Sequence, residues 1–249
     1  MSSAHFHEGL LGVEGRAREE TDARLAGNKL GERAPRCWEA VWGAVEVLYD
    51  YATCTSHCPG EGDHTFRLIA GRAVNLAFGA LASLRAAHYE SCLLIARGLG
   101  ELGNVTGALT YSARALDDFK DGRRLRGKEF AILRAAGVQP IVSGRRYGLL
   151  SERAVHPSFD DIVKSHVPGR VIVGPLFQDA GFLLCVNELA IAIGSFIFLC
   201  RDESMAASEV EAIKSSLLTV GESIGSLLVD NLPDGLVHLH PQDRWRGVQ

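Results

Sequence analysis

The sequence predicts an all-α protein, a bundle of about six to eight helices with one buried apolar central helix. Two observations favour this fold. Apolar residues recur every three or four positions along most of the chain, and residues 181–200 are apolar on nearly every side. Of the 249 residues, 47% are apolar and 22% are charged, which is typical of a globular protein. The net charge of -4 argues against a strongly basic protein that coats nucleic acid.

The first 36 residues are expected to form a charged helix or arm, separate from the main domain. Residues 14–36 hold eleven charges of both signs, and this segment is expected to end at Pro35. The N-terminus lacks the basic and apolar regions of a secretory signal. A chain of this size has no need of disulfides, so the six cysteines are expected to be reduced. These features predict a cytoplasmic protein.

The main domain, residues 37–229, is predicted to be a succession of helices. Asp63 is expected to cap the second helix, and Gly137 is expected to end the fourth. Residues 170–177 contain β-branched side chains and predict a short strand or an extended link, and residues 230–249 predict a polar tail. The predicted helices cover residues 37–52, 64–87, 89–111, 121–136, 144–155, 179–200 and 205–229.

The apolar run at residues 181–200 is long enough to cross a bilayer. Asn187 and Glu188 lie within it, and a carboxylate in the middle of a membrane costs about 3 kcal/mol. Neither Trp nor Tyr flanks the run. We therefore predict a buried core helix and no membrane span.

A polar stripe on the predicted helix 89–111 is the first candidate site. At about 100° per residue, Glu90, Arg97, Glu101 and Asn104 fall within about 60° of one another. Arg97 and Glu101 are four residues apart and can pair directly. Two interpretations are open: a hydrogen-bond network that fixes the register of the helices, or a partly buried site in which Arg97 holds a phosphate or carboxylate. Glycines at 98, 100 and 103 indicate the close approach of another helix or a ligand.

A cysteine–histidine loop is the second candidate site. Two thiolates and two imidazoles can coordinate tetrahedral zinc, although the spacing here differs from that of common zinc knuckles. The alternative is a packed loop between two helices that needs no cofactor. The candidate ligands are Cys54, His57, Cys58 and His64.

A basic segment follows at residues 123–146, with Glu129 as its one acidic residue. Clustered Arg and Lys side chains bind phosphates, so RNA or a nucleotide is a candidate partner. Phe130 and Tyr147 are the nearest aromatic rings that could stack on a base. The alternative is an ordinary solvated helix face. The basic residues are Arg123, Arg124, Arg126, Lys128, Arg134, Arg145 and Arg146.

Two motifs, LLIARGLGELGN around Arg97 and YGLLSERAVHP ending near His156, resemble a group of uncharacterised bacterial all-helical proteins. That group is in turn similar to the HEPN superfamily (higher eukaryote and prokaryote nucleotide-binding). The resemblance spans about residues 40–230 and implies a helical bundle, often a homodimer. It also implies a link to RNA cleavage in toxin–antitoxin or phage-defence systems, with a cognate regulatory protein as partner.

The resemblance implies roles for individual residues. His156 is the expected general acid or base on the ribose 2′-hydroxyl, and Arg97 or Arg153 is expected to stabilise the charge that develops on the phosphate. From the polar stripe, Glu101 joins this catalytic set because it can orient the phosphate or a histidine, and no metal is needed for these roles. The candidate binding residues, taken from the stripe and the basic segment, are Asn104, Arg145, Arg146 and Tyr147. The alternative for His156 is that it caps its helix and packs against Tyr147. HEPN ribonucleases place four to six residues between Arg and His, whereas Arg153 precedes His156 by two intervening residues. A non-catalytic binding or regulatory module is therefore the alternative.

Overall fold

A computed structural model describes residues 3–27, 33–53, 61–125, 127–142, 177–199 and residue 215. The described residues form seven helices and no strand, which confirms the predicted all-α fold. Of the predicted helices 144–155 and 205–229, the segment 170–177 and the tail 230–249, only residues 177 and 215 are described. The helices are α1 (Ser3–Ala26), α2 (Arg33–Thr53), α3 (Glu61–Arg85), α4 (Tyr89–Tyr111), α5 (Ala113–Lys120), α6 (Lys128–Ala135) and α7 (Asp179–Leu199).

Helices α2, α3 and α4 form a layer with α3 in the middle. The α2–α3 pair is antiparallel, because Ala52 lies beside Gly71 near one end and the rings of Trp42 and Phe78 are 5.7 Å apart near the other. The α3–α4 pair is antiparallel as well, joined by a tight turn at residues 86–88. Each helix turns an apolar stripe toward its neighbours, and together these stripes build most of the hydrophobic core.

Helix α7 packs on one face of this layer and runs parallel to α4. Gly181 lies against the Tyr89 ring at the start of both helices, and the Leu199 carbonyl accepts a hydrogen bond from Thr110 at their ends (2.9 Å). Apart from Leu184, Gly194 and Ser195, the described side chains between Phe182 and Leu199 are buried. This confirms the prediction of a buried apolar central helix.

Glycines on α4 allow its neighbours to come unusually close. A Cβ atom at Gly100 would collide with Val142 Cγ2, and one at Gly103 would collide with Ile141 Cδ1. A Cβ at Gly107 would lie 2.8 Å from Leu133. Gly98, by contrast, has open space around it. Two of the three glycines singled out in the sequence therefore mark close packing.

Several predicted boundaries differ from the structure. Helix α2 begins at Arg33, so Pro35 lies in its first turn rather than at the end of the preceding segment, and a first-turn proline lacks only an N–H that would be unpaired anyway. Helix α3 begins at Glu61, so Asp63 is inside the helix and the prediction that it is the N-cap is wrong.

The segment 112–136 also departs from the prediction. Helix α5 was not predicted; its N-cap Ser112 accepts a hydrogen bond from the Ala115 N–H (3.2 Å). The predicted basic helix 121–136 is helical only as α6, because Gly122 and Gly127 adopt positive φ angles of 77° and 85°. Gly137, with φ of 73°, follows α6 and confirms the predicted stop.

Helix α1 lies on the bundle through charged contacts at its C-terminal half. Asp22 accepts two hydrogen bonds from the guanidinium of Arg85, and Arg24 donates one to Asp179 (2.7 Å). The Arg24 guanidinium also stands over the Phe177 ring, 4.9 Å from its centroid. Helix α1 begins at Ser3, and Ala17 and Thr21 on it are buried. The division of the chain into an N-terminal arm of 36 residues and a main domain stays a prediction.

One helix among the described residues, His64–Arg85 within α3, meets the length and hydropathy of a membrane span. Of its most apolar window, 44% is buried inside the bundle. The apolar part of α7, Gly181–Ile197, is shorter than a span. The absence of a membrane span stays a prediction.

Candidate functional site

Helix α4 positions the polar stripe, with Arg97, Glu101 and Asn104 at successive turns. At about 100° per residue, Asn104 lies about 20° to one side of Arg97 and Glu101 about 40° to the other. The packed glycines Gly100 and Gly103 lie on the Asn104 side. This small angular difference places Asn104 under neighbouring residues and leaves Glu101 toward solvent.

Arg97 and Glu101 form the outer part of the stripe. The Arg97 Nε donates a hydrogen bond to Glu101 Oε1 at 2.9 Å. The Arg97 side chain is 18% exposed and that of Glu101 is 47% exposed. A carboxylate held against Nε fixes the plane of the guanidinium, so this pair presents an oriented, partly desolvated cation at the surface.

Asn104 forms the inner part of the stripe and is buried. Its Oδ1 accepts a hydrogen bond from the Ile141 N–H (2.6 Å), and its Nδ2 donates to the Val142 carbonyl (2.9 Å). Both ends of the amide therefore bind the backbone of residues 141–142, which we call the strap. This arrangement gives Asn104 a structural role, although its partner is a non-helical segment and not the neighbouring helix of the first interpretation. A ligand-binding role for Asn104 stays a prediction.

The strap lies in the groove created by the α4 glycines. Val142 packs at Gly100 and Ile141 at Gly103, and both strap residues join Leu199 in a small apolar cluster beside the main core. Val142 is thus locked beside Gly100, the residue that directly precedes Glu101. We call the two hydrogen bonds between Asn104 and the strap the Asn104 clamp. The clamp fixes the position beside α4 from which the chain continues to residue 143.

The other residues predicted for catalysis and binding follow the strap. Residue 142 is the last described residue before 177, so the structure neither joins these residues to the Arg97–Glu101 pair nor separates them from it. Their roles stay predictions. The residues concerned are Arg145, Arg146, Tyr147, Arg153 and His156.

The described part of the basic segment carries mixed charge. Arg123 binds Asp118 (2.7 Å) and lies 3.4 Å from Asp121, so two aspartates offset its charge. The remaining basic side chains described there, Arg124, Lys128 and Arg134, are exposed. These three cations are available to a phosphate-bearing ligand, and a solvated surface accounts for them equally well.

The candidate zinc ligands are represented by one described residue. His64 is exposed near the start of α3, whereas Cys54, His57 and Cys58 lie outside the described residues. Within the described ranges, no group of three or more His, Cys, Asp or Glu side chains is arranged to hold a metal ion. Zinc binding by the loop stays a prediction.

The structure shows contacts that were not predicted for two residues near the start of α4 and α7, the partly buried Tyr89 and the buried Cys185. The Tyr89 hydroxyl accepts a hydrogen bond from the Gln178 N–H (2.8 Å), and burial raises the pKa of Tyr89 above its ordinary value. Burial and the adjacent Cys92 thiol raise the pKa of Cys185 well above its ordinary value. Cys185 is therefore protonated at neutral pH and unsuited to be a nucleophile. No local sequence signal identifies these groups, because their partners lie 89 or more residues away.

Comparisons with known proteins assign no relative. No protein-family model matches the chain, and neither the curated proteins nor the solved structures contain a significant match.

Proposed function

We propose that this chain is a HEPN-like helical protein of the cytoplasm that binds RNA and cleaves it without a metal, in a toxin–antitoxin or phage-defence setting. One observation carries the proposal. The Asn104 clamp ties Ile141 and Val142 to α4 within a turn of the Arg97–Glu101 pair, so the chain that continues toward His156 leaves α4 beside that pair.

The length of the covalent chain sets an upper limit on the distance between Val142 and the arginines that follow it. An extended chain spans at most about 3.6 Å per residue, so Arg145 Cα lies within about 11 Å of Val142 Cα. A second arginine follows at position 146. We propose that Arg145 and Arg146 join Arg97 at one phosphodiester, which each guanidinium can bind through paired N–H groups.

The proposed chemistry assigns one task to each residue. Arg97, held in orientation by Glu101, binds the scissile phosphate and stabilises the charge that develops on it. His156 removes the proton of the ribose 2′-hydroxyl and returns a proton to the leaving oxygen, a role that suits an imidazole near neutral pH. Arg153 supports the phosphate, and Arg145, Arg146 and Tyr147 bind the flanking nucleotides.

Expression toxicity with an RNA-integrity readout tests the proposal. Wild type is compared with Arg97→Ala, Glu101→Gln and His156→Ala, and Arg114→Ala serves as the matched loss of an exposed arginine outside the basic segment. We expect RNA cleavage by wild type and Arg114→Ala, none by Arg97→Ala and His156→Ala, and reduced cleavage by Glu101→Gln. Circular dichroism establishes that each variant folds. Cleavage by folded His156→Ala at the wild-type rate contradicts the proposal.

A second candidate function is a non-catalytic binding module that is regulated by a partner protein. The use of both ends of the Asn104 amide on the strap favours it, because this part of the stripe already has a structural role. The module predicts that wild type binds single-stranded RNA in a salt-dependent manner, that Arg97→Ala weakens this binding, and that the RNA stays intact. Filter binding across a salt series, followed by analysis of the recovered RNA, separates the two functions.

A further inference from the structure

Two cysteines meet across the contact between α4 and α7. Cys92 on α4 and Cys185 on α7 are both fully buried, and both are reduced thiols. The two thiols lie within hydrogen-bonding range of each other. The Cys185 Sγ also donates a hydrogen bond to the carbonyl of Tyr89 (3.5 Å), which lies three residues before Cys92 on the same helix. Two separate contacts therefore place the sulfur of Cys185 within one turn of Cys92.

The parallel packing of α4 and α7 explains why these side chains meet. Gly181 lies against the Tyr89 ring at the start of both helices, where a Cβ atom would stand 2.8 Å from the ring. Cys185 follows Gly181 by four residues and Cys92 follows Tyr89 by three, which is about one helical turn in each case. Because both helices run in the same direction, the next turn of the contact brings Cys185 to Cys92.

We propose that Cys92 and Cys185 form a redox-sensitive site, which a peroxide converts into a disulfide that joins α7 to α4 inside the core. Two thiols already in contact reach the S–S bonding distance of about 2.05 Å chiefly by rotation about their Cα–Cβ bonds. The bond joins positions that are 93 residues apart in the sequence, and closing so long a loop constrains the unfolded chain strongly. The proposal concerns the redox state of the core and does not depend on RNA cleavage.

The reaction balances with hydrogen peroxide as the oxidant. One thiolate attacks the peroxide, and its sulfur takes one oxygen atom to become a sulfenic acid while the other oxygen leaves as water. The sulfur of the second cysteine then displaces the sulfenic oxygen, which leaves as a second water as the S–S bond forms. The two thiols together lose two electrons and two protons, and the peroxide is reduced to two water molecules.

Burial controls the rate of this reaction. In the closed core the Cys185 thiol keeps its proton, because burial raises its pKa, and a protonated thiol reacts slowly. Transient opening of the core at the start of α7 admits water and peroxide, and a thiolate can then form. We therefore expect the disulfide to form slowly under sustained oxidation, and faster in urea at concentrations below the unfolding transition.

A soft metal ion such as Cu(I) is the other ligand that a pair of thiols suggests, and the surroundings argue against it. Two thiolates around one monovalent cation carry a net negative charge, which is costly in an apolar core. The nearby carboxyl groups of Glu188 and Glu90 disfavour a further negative charge at Cys185. A disulfide is uncharged and adds no such cost.

Peptide mapping of the full-length wild type tests the proposal without any substitution. The folded chain is treated with hydrogen peroxide and then unfolded in N-ethylmaleimide, which blocks the remaining thiols. Trypsin releases one peptide that contains Cys92 and another that contains Cys185 and Cys200, and cleavage after Glu188 separates the last two. We expect a Cys92–Cys185 linkage that dithiothreitol removes. Recovery of these two cysteines as blocked thiols or sulfinic acids, or their linkage to other cysteines, overturns the proposal.

Thermal unfolding measures the effect of the disulfide on the fold. We expect peroxide-treated wild type to unfold at a temperature about 10 °C higher than the reduced protein, because the disulfide constrains the unfolded chain. Cys92→Ala and Cys185→Ala should show no such shift relative to their own reduced forms. Cys37→Ala, which removes another buried cysteine, is the matched control and should keep the shift. An equal shift in Cys92→Ala, or none in the cross-linked wild type, overturns the proposal.

Discussion

Helices α7 and α1 both attach to the α2–α4 layer, yet they do so by opposite means. Helix α7 buries apolar side chains along its length and fits against the small residues of α4. Among the side chains of α1 that the structure describes, residues 11–26, only Ala17 and Thr21 are buried. The C-terminal half of α1 is held by the Arg85–Asp22 and Arg24–Asp179 contacts, whose side chains are about one-third to one-half exposed. Burial of apolar area stabilises by about 25 cal/mol per Å², whereas exposed ion pairs contribute about 0–1 kcal/mol each.

Two helices that both contact the core therefore contribute unequally to the stability of the fold. Helix α7 belongs to the cooperative unit, because removing it uncovers the layer's apolar inner face. We expect α1 to detach from the bundle at a small free-energy cost, because a few charged contacts hold it. Salt screens these contacts and lowers that free energy. The following variants test this contrast and are ordered by the size of the change in stability that we expect.

Loss of the Asn104 amide should have the largest effect on stability. Asn104→Ala leaves the Ile141 N–H and the Val142 carbonyl buried without their partner, and we expect a loss of about 3 kcal/mol. Urea unfolding measures this loss, with Glu101→Ala as a control one turn away on the exposed part of α4. A loss below 1 kcal/mol, about the value of an ordinary surface substitution, would show that the clamp contributes little.

A methyl group added in the α4 groove should cause the second-largest loss of stability. In Gly100→Ala the new Cβ meets Val142 Cγ2, a stiff β-branched side chain, whereas Gly98→Ala enters open space. Both substitutions gain the same helix propensity, so their difference isolates the steric cost, which we expect to be about 2 kcal/mol. Thermal unfolding compares them directly. Equal melting temperatures would mean that the strap shifts without cost.

The Tyr89 hydroxyl should give stability a distinct pH dependence. Burial raises its pKa in the folded protein, so its contribution is present below the unfolded value of about 10 and is lost as pH rises above it, because only the unfolded chain ionises. Tyr89→Phe should cost about 0.5–1 kcal/mol at neutral pH by removing the acceptor for the Gln178 N–H. Above about pH 10 its stability should fall less steeply than that of wild type. Parallel alkaline profiles of the two proteins would contradict this assignment.

Loss of a charged contact of α1 should cause the smallest change in stability, and this change should depend most strongly on salt. Asp22→Asn weakens the paired hydrogen bonds from Arg85 and should cost about 0.5 kcal/mol at low salt and less in high salt. Limited proteolysis near residue 27 should become faster in the variant while the global unfolding midpoint hardly moves. Glu14→Gln, which removes an ion pair internal to α1, is the matched control. A large drop in the midpoint would place α1 within the cooperative core.

The sequence predicted those elements whose apolar pattern is continuous. The bounds of α4 and α7 follow from long periodic or wholly apolar runs, which tertiary contacts reinforce. It missed α5, because eight residues give only about two turns in which an apolar pattern can repeat, and the hydrogen bond of the Ser112 cap is visible only in the structure. It extended α6 too far, because the left-handed turns at Gly122 and Gly127 interrupt a segment whose charges suggested a single helix.

The candidate site was predicted in part. Helical geometry placed Arg97, Glu101 and Asn104 on one stripe, and the Arg97–Glu101 pair forms. The division of the stripe was not predictable, since the partners of Asn104 lie 37 and 38 residues away and belong to a segment without periodic character. Only tertiary packing shows that Asn104 is buried against residues 141–142 while Glu101, one turn away, is exposed.

The parallel pairing of α4 and α7 has a consequence for how the chain is made. Residues 112–178 separate α4 from α7 in the chain, so the ribosome must synthesise them before α7 can begin. At about 5–20 residues per second, this synthesis takes several seconds. During that time the surface of α4 that α7 covers in the folded protein has no such cover on the nascent chain.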